Sequence, residues 1–422
     1  MLVLPLFAAL LGAQSAFCLP QQIPLLSPSS GALSTLLSPT SLPLSSLSST
    51  LAQLPLEHLH QLEKHVHGLP EKRIVQLTRD GPQGERREVT EGQKALLTLV
   101  GECFIDVTND VTGALEAYSK NSYPDHLSHN ATELAPMFKR ISIKEMKGFI
   151  SHFSSFFNRY YRSQYGRESQ QWLLAQLKEL HATHNPSASL TFREFKHSSW
   201  EQRSIIAHWE PSSRAAQAAP VLILSSHQDS TNSLPFLRAP GADDDGSGTT
   251  ALVQALTVLL KSGWAPESRP LELHFYSAEE GGLLGSGEVA RSYREEGKSV
   301  RGMYHQDVVA YVKPGTEPVI GLITDGVDSD LVDYLELLID EYAEIPAERT
   351  QCGYACSDHG SWTRNGFPSS CLAEGKFADS NPNMHSTADI VDRPDGAYSF
   401  GHIAQFVRVG VAFAVELAGG KE

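Results

Sequence analysis

The sequence predicts an α/β fold, a mixed, largely parallel central β-sheet flanked by helices. From about residue 141 onward, short β-type runs alternate with segments of helical period. Three of those β runs end directly in His, Asp or Glu, and open α/β sheets present their ligand groups at the carboxyl ends of strands. Hydrophobic residues make up 41% of the 422, enough for a sizeable core.

The front of the chain differs in kind. Residues 1–56 contain no Asp, Glu, Lys or Arg. Residues 1–18, MLVLPLFAALLGAQSAFC, are an apolar run ending in small residues, too short for a comfortable membrane span, and read as a signal peptide. No other segment is expected to span a bilayer, so the mature chain is expected to be secreted, extracellular and free of membrane partners. Residues 19–56 are rich in Ser, Pro and Leu and show no periodicity. In 57–67, His58, His60, His65 and His67 crowd together, but Leu59, Leu62 and Val66 fit a helical stripe, so an amphipathic helix is preferred to a metal site. Lys72-Arg73 and Arg86-Arg87 are dibasic pairs, often plain solvated charge, though exposed ones in a secreted precursor can be cut. The expected division is a signal peptide at 1–18, a propeptide at 19–120 and a catalytic domain at 121–422. Asn130-Ala131-Thr132 is a glycosylation sequon and predicts an exposed Asn130.

In the body, Met146, Phe149, Ile150, Phe153, Phe156, Phe157 and Tyr160 recur at spacings of three and four, predicting a helix over 143–161. A second helix is expected over 169–184, stopped by Pro186. Strands are expected at 190–195, 204–209, 221–225, 271–277, 302–306 and 319–324. Helices are expected at 247–261, 283–296, 329–343 and 400–417. There is no internal repeat.

The chemistry lies at the strand ends. VLILSS runs into His227-Gln228-Asp229, LELHFYSA into Glu279-Glu280, and GMYHQ into Asp307. A loop with Asp243, Asp244 and Asp245 feeds a helix N-terminus, which needs at most one carboxylate as a cap. Brought to one sheet edge, so many acids require cations. Imidazole with carboxylate suits zinc, and His385 offers a second imidazole. Two Zn²⁺ against Asp244, Glu280, Asp307 and a bridging hydroxide would be neutral, leaving Glu279 as a base in a hydrolytic two-metal site. No H-E-x-x-H is present, and the Gly-rich stretch at 281–287 lacks the Lys of a phosphate-binding loop. The net charge of −15 has the wrong sign for nucleic acid.

These residues resemble the secreted di-zinc aminopeptidases of peptidase family M28, which includes bacterial and fungal leucyl aminopeptidases. The matching motifs are HQDS (227–230), APGADDDGSG (239–248), AEEGGLLGS (278–286), QDVVAYVKPG (306–315), QCGYACSDHGSW (351–362) and NPNMHSTAD (381–389). The resemblance covers about 141–422, and the long precursor is most similar to the fungal branch. It implies the zinc-peptidase (phosphorylase/hydrolase-like) fold. It implies two zinc ions on His227, Asp244, Glu280, Asp307 and His385, with Asp244 bridging, and Glu279 as general base. It implies that Asp229 and Asp389 orient the two histidines and that Tyr354 assists the reacting carbonyl. It also implies a Cys352–Cys356 disulfide beside the substrate pocket, with Cys371 unpaired, and a pro-region that inhibits or assists folding. Phe377, Leu372 and Met384 are the apolar pocket residues on this reading. Where relatives carry bulkier residues the chain has Val308, Ala373 and Ser380, which predicts a wider pocket. The expected substrates are peptides and proteins with a free N-terminus and a bulky apolar first residue, and the expected state is a monomer.

Three other readings compete. A related zinc carboxypeptidase or deacylase shares the ligand types but lacks the D-D-D-x-S-G pattern. A glutaminyl cyclase relative shares the fold but not QCGYAC. A dead protease used for binding would have lost ligands, and none is lost.

Overall fold

The computed structural model describes residues 44–78, 84–110 and 122–420. The expected signal at 1–18, residues 19–43 and the boundary near 120 lie outside the described residues.

The described residues open with a small unit of their own. Helices α1 (Leu44–Leu51) and α2 (Leu56–Gly68) precede strands β1 (Lys72–Leu77) and β2 (Arg86–Thr90), helix α3 (Lys94–Leu99) and strand β3 (Phe104–Asp106). β1 is the central strand, antiparallel to both β2 and β3. The stripe read in α2 is real: Leu59, Leu62 and Val66 are its buried residues. Helix α1 lies in the uncharged stretch where no period was expected. Its Leu47 and Leu51 join the same apolar cluster, and serines in the intervening positions had blurred the pattern.

Charge, not only apolar area, fastens this unit to the body. Lys94 Nζ lies 3.1 Å from Glu91 and 2.6 Å from Asp106, and Arg73 Nε lies 2.9 Å from Glu91, all with side chains almost wholly buried. From the body, the Tyr161 hydroxyl donates to Glu91, and Arg162 Nε does so at 3.2 Å. Lys94 also donates to the Gly281 carbonyl at 3.0 Å, and the Asp106 amide to the Gly282 carbonyl at 3.0 Å. The expected processing pair Lys72-Arg73 is thus half hidden: Arg73 is a buried member of the network.

The body contains helices α4 (Ala131–Phe138), α5 (Ile143–Phe153), α6 (Gln164–His184), α7 (Arg214–Gln217), α8 (Gly246–Lys261), α9 (Leu284–Glu295), α10 (Ser329–Tyr342), α11 (His359–Arg364) and α12 (Phe400–Ala418). Its strands are β4 (Leu190–Phe195), β5 (Ser204–Trp209), β6 (Val221–His227), β7 (Leu271–Tyr276), β8 (Val300–Gln306), β9 (Ile320–Ile323), β10 (Ala347–Thr350) and β11 (Ser369–Ala373). They form one sheet in the order β10-β9-β11-β8-β6-β7-β5-β4. The central strands β7, β6, β8 and β11 run parallel, while β5 runs against both of its neighbours and β9 against β11 but parallel to β10. Every residue of β6 and β7 is buried, as a sheet covered on both faces requires.

Two expectations need correction. The helix read over 143–161 stops at Phe153, where Ser154 Oγ bonds back to the Ile150 carbonyl at 2.8 Å. The apolar period continues past it, but residues 154–163 leave the helix and carry Arg159 into the interior. And a segment beyond the first eighteen residues does have the length and apolarity to cross a membrane. It is α12, and it lies mostly buried, packed on α8 as a core helix. Strands β10 and β11 were not expected; β11, SSCLA, is short and half small-polar.

Candidate active site

Five segments converge at the carboxyl end of the parallel strands. β6 ends in His227, β7 leads to Glu279-Glu280 and β8 to Asp307, while the loop before α8 carries Asp244 and a loop after β11 carries His385. Tight turns make these exits: Ala278, Val308 and His385 all have positive φ (59°, 49° and 55°), conformations that surrounding structure must over-determine.

His227 Nε2 lies 3.2 Å from Asp244 Oδ1 and 3.3 Å from Asp307 Oδ1. His385 Nε2 lies 3.2 Å from Asp244 Oδ2 and 2.9 Å from Glu280 Oε2. Asp244 therefore turns one oxygen to each imidazole. Donor atoms on a tetrahedron with bonds of about 2.0–2.1 Å stand about 3.3 Å apart, so both triplets have the edge length of a zinc site. Among the described residues, the ion pairs of Asp244, Glu280 and Asp307 are all with these two histidines. Burial opposes charge on both imidazoles, yet the facing carboxylates hold their pKa values well above the ordinary one. Protons on the histidines thus stand where the acids call for divalent cations.

Asp245 also lies within ligand range of His227 and Asp307. Its oxygens are engaged by backbone amides: Gly248 at 2.8 Å, Val308 at 3.2 Å and His227 at 3.2 Å. It caps α8 and ties three ligand-bearing segments, which leaves Asp244 as the shared carboxylate.

The two acids expected to orient histidines mainly brace backbone. Asp229 lies 3.5 Å from His227 Nδ1 and also accepts the amides of Glu279 at 3.1 Å and Glu280 at 3.3 Å. Asp389 accepts the amides of Asp243 and Asp244, at 3.2 and 3.0 Å, and the Asn381 side chain. Its described bonds support the loop under Asp244.

Glu279 lines the cleft beside the two triplets. Burial pushes its carboxyl well above the usual range; His227 opposes this, while Asp307, Asp358 and Glu280 add to it. Tyr354, Ala355 and Cys356 form the facing wall, with Cys352 and Cys356 joined in a disulfide. Cys371 is a buried free thiol. Leu372 is corrected to core: it packs in the main cluster, its carbonyl accepting the Asp307 amide at 3.2 Å. Met384 and Phe377 share a separate apolar cluster with Tyr354, Leu283 and Val308, next to the cleft. Sequence reasoning missed the opposite wall altogether. Thr98, Glu102, Phe104 and Ile105 of the N-terminal unit line the cleft, and Ile105 and Val107 are buried in that apolar cluster.

The comparisons agree with this geometry. The profile described as peptidase family M28 matches residues 204–409. Leucine aminopeptidase 1 of Coccidioides posadasii is 39% identical over 87% of this chain and 93% of its own. A probable aminopeptidase of Saccharomyces cerevisiae is 39% identical over 79% of this chain and 90% of its own. Among solved structures, the LapA aminopeptidase of Legionella pneumophila superposes with a TM-score of 0.72 at 26% identity, covering 83% of this chain and 99% of its own. With these relatives and this donor set, which suits zinc, the chain belongs to peptidase family M28 and is a metallo-aminopeptidase.

Proposed function

We propose that the chain is the precursor of a secreted aminopeptidase that uses two zinc ions and releases bulky apolar N-terminal residues. The observation that carries the reading is the pair of His–carboxylate triplets joined through the two oxygens of Asp244. His227 and Asp307 would complete one site, His385 and Glu280 the other. Zinc held by these residues would supply Lewis acidity toward the scissile carbonyl and toward a water. Glu279 takes the proton of the attacking water on its carboxylate and hands it to the departing amine nitrogen. Its burial supports this role by keeping the carboxylate basic. The Tyr354 hydroxyl donates to the carbonyl oxygen as negative charge develops. The excess of carboxylates attracts the free α-amine, which makes the enzyme an exopeptidase.

The side chain of the first residue would pack near Phe377, Met384 and Tyr354, where burial favours Leu or Phe over Gly at about 25 cal/mol per Å². In the uncut chain Phe104 and Ile105 line that same cleft, which supports an inhibitory pro-region. The signal at 1–18 and the exposed sequon at Asn130 support secretion and glycosylation. Leu-nitroanilide should be cleaved by the trimmed enzyme, lost on chelation and restored by zinc or cobalt, and N-acetyl-Leu-nitroanilide should resist. Comparable cleavage of the acetylated substrate would favour an endopeptidase or deacylase instead.

A further inference from the structure

Arg159 is wholly buried, in the irregular segment between α5 and α6. Its Nε donates to the Gln228 carbonyl at 2.8 Å and its Nη1 to the Pro240 carbonyl at 2.5 Å. Its Nη2 donates to the carbonyls of Gly241 at 2.8 Å and Asp244 at 3.4 Å. Gln228 separates His227 from Asp229, and the other three residues belong to the loop that delivers Asp244. One guanidinium therefore ties the strand end carrying an imidazole to the loop carrying the shared carboxylate. Arg159 is itself held: its amide donates to Ser230 Oγ at 3.0 Å, its carbonyl accepts from Gln202 at 2.9 Å, and Phe153 lies 4.3 Å beneath Cζ.

A buried cation is costly unless compensated. Burial lowers the Arg159 pKa, while Asp389, Asp244, Asp229 and Asp245 pull it back. Yet its described hydrogen bonds go to carbonyls, so it offsets negative charge without occupying the carboxylate oxygens that face the cleft. Only a planar fork of donors can reach these carbonyls together; a lysine point charge cannot. The glycine of the APG motif fits around it: a Cβ on Gly241, where φ is +50°, would come within 2.8 Å of Nη2.

We propose that Arg159 is a positioning residue of the metal centre, setting the distance between His227 and Asp244 so that Asp244 serves both sites. The proposal rests on the two-metal reading above. The test compares full-length parent, Arg159→Lys and Arg159→Met with a control, Arg269→Lys. Arg269 is also buried and donates to the Leu417 carbonyl at 2.6 Å, at the amino end of β7 and away from the ligands. Metal affinity, cobalt(II) absorption, melting temperature, kcat and KM are measured on each. Loss of an outer partner weakens metal sites by roughly 10–100-fold. Arg159→Lys should weaken at least one metal by that factor, alter the cobalt spectrum and lower kcat with KM little changed. Arg269→Lys should lose stability without either change. Unchanged affinity and spectrum in Arg159→Lys, or changes no larger than in the control, would overturn the proposal. If Arg159→Met does not fold, Arg159→Lys decides. A parent that binds a single metal would end the two-metal reading, and Arg159 would still be judged by the change at that site.

Discussion

The N-terminal unit and the body are built on opposite principles. The body is an eight-stranded sheet whose strands β6 and β7 are buried end to end, with core helices such as α8 and α12 packed together. The small unit has three short strands and one leucine-rich cluster, and besides the apolar contacts of Ile105 and Val107 it meets the body through Glu91, Arg73, Lys94 and Asp106. Apolar area tolerates exchange of one large side chain for another; a buried charge network tolerates loss of no member, because a stranded charge costs more than the pair contributes. The body is thus made to last, and the unit is made to fit in one way while remaining separable.

The sharpest way to test the body is at Glu279 and Glu280. Glu279→Gln should lower turnover by roughly 10²–10⁴ with zinc content intact. Glu280→Gln should lose metal as well, and equal zinc loss in both would show the roles misassigned. At the interface, Glu91→Gln or Lys94→Met strands its partners and should weaken docking of the unit by about 3–5 kcal/mol. Hydrogen exchange should then rise in β1–β3 and not in β6–β8, and the uncut chain should gain activity. A full-length chain as active as one trimmed within 111–121 would remove the inhibitory role.

Acid provides a gentler probe of the same contrast. Burial raises the Glu91 pKa, but Lys94, Arg162, Tyr161 and Arg73 outweigh it and bring it to about 2. A lowered carboxylate pKa contributes stability that is full above the ordinary value near 4.5 and is lost as pH falls towards 2. Docking of the unit should therefore weaken across that window, and Glu91→Gln should flatten the dependence. The smallest effect belongs to Asn130, whose side chain caps α4 by accepting the amides of Thr132 and Glu133. Asn130→Ala should cost about 1 kcal/mol; Asn130→Asp should keep the cap. Both should abolish the glycan that mass spectrometry is expected to find.

Much of the body was legible because its signals are local. His227, Glu280 and Asp307 follow strands whose composition is plain, and acids at three strand ends already imply cations. What escaped depends on contacts distant in sequence. Arg159 resembles any charge in an aromatic-rich helix until it is seen to bond carbonyls some eighty residues away. Asp245 cannot be told from Asp244 by composition; only its three backbone amides separate them. Leu372 looked like a pocket residue because it is apolar and lies near the motifs, whereas β11 turns it into the core. The wall formed by Phe104 and Ile105 left no signal, since nothing in a three-residue strand reveals what it covers.

The position of α12 has a consequence for how the protein is made. It is the last described helix of the chain, ending at Ala418, and it packs on α8. At about 5–20 residues per second, the roughly 300 residues between the end of the small unit and α12 take about 15–60 s to synthesise. The small unit's own cluster is complete long before that, apart from a few contacts to 234–237. The face of α8 waits uncovered until α12 has been made. A chain terminated inside this helix would leave the apolar interior of the body open, so stop codons placed within 400–418 should produce aggregated chains rather than a shortened enzyme.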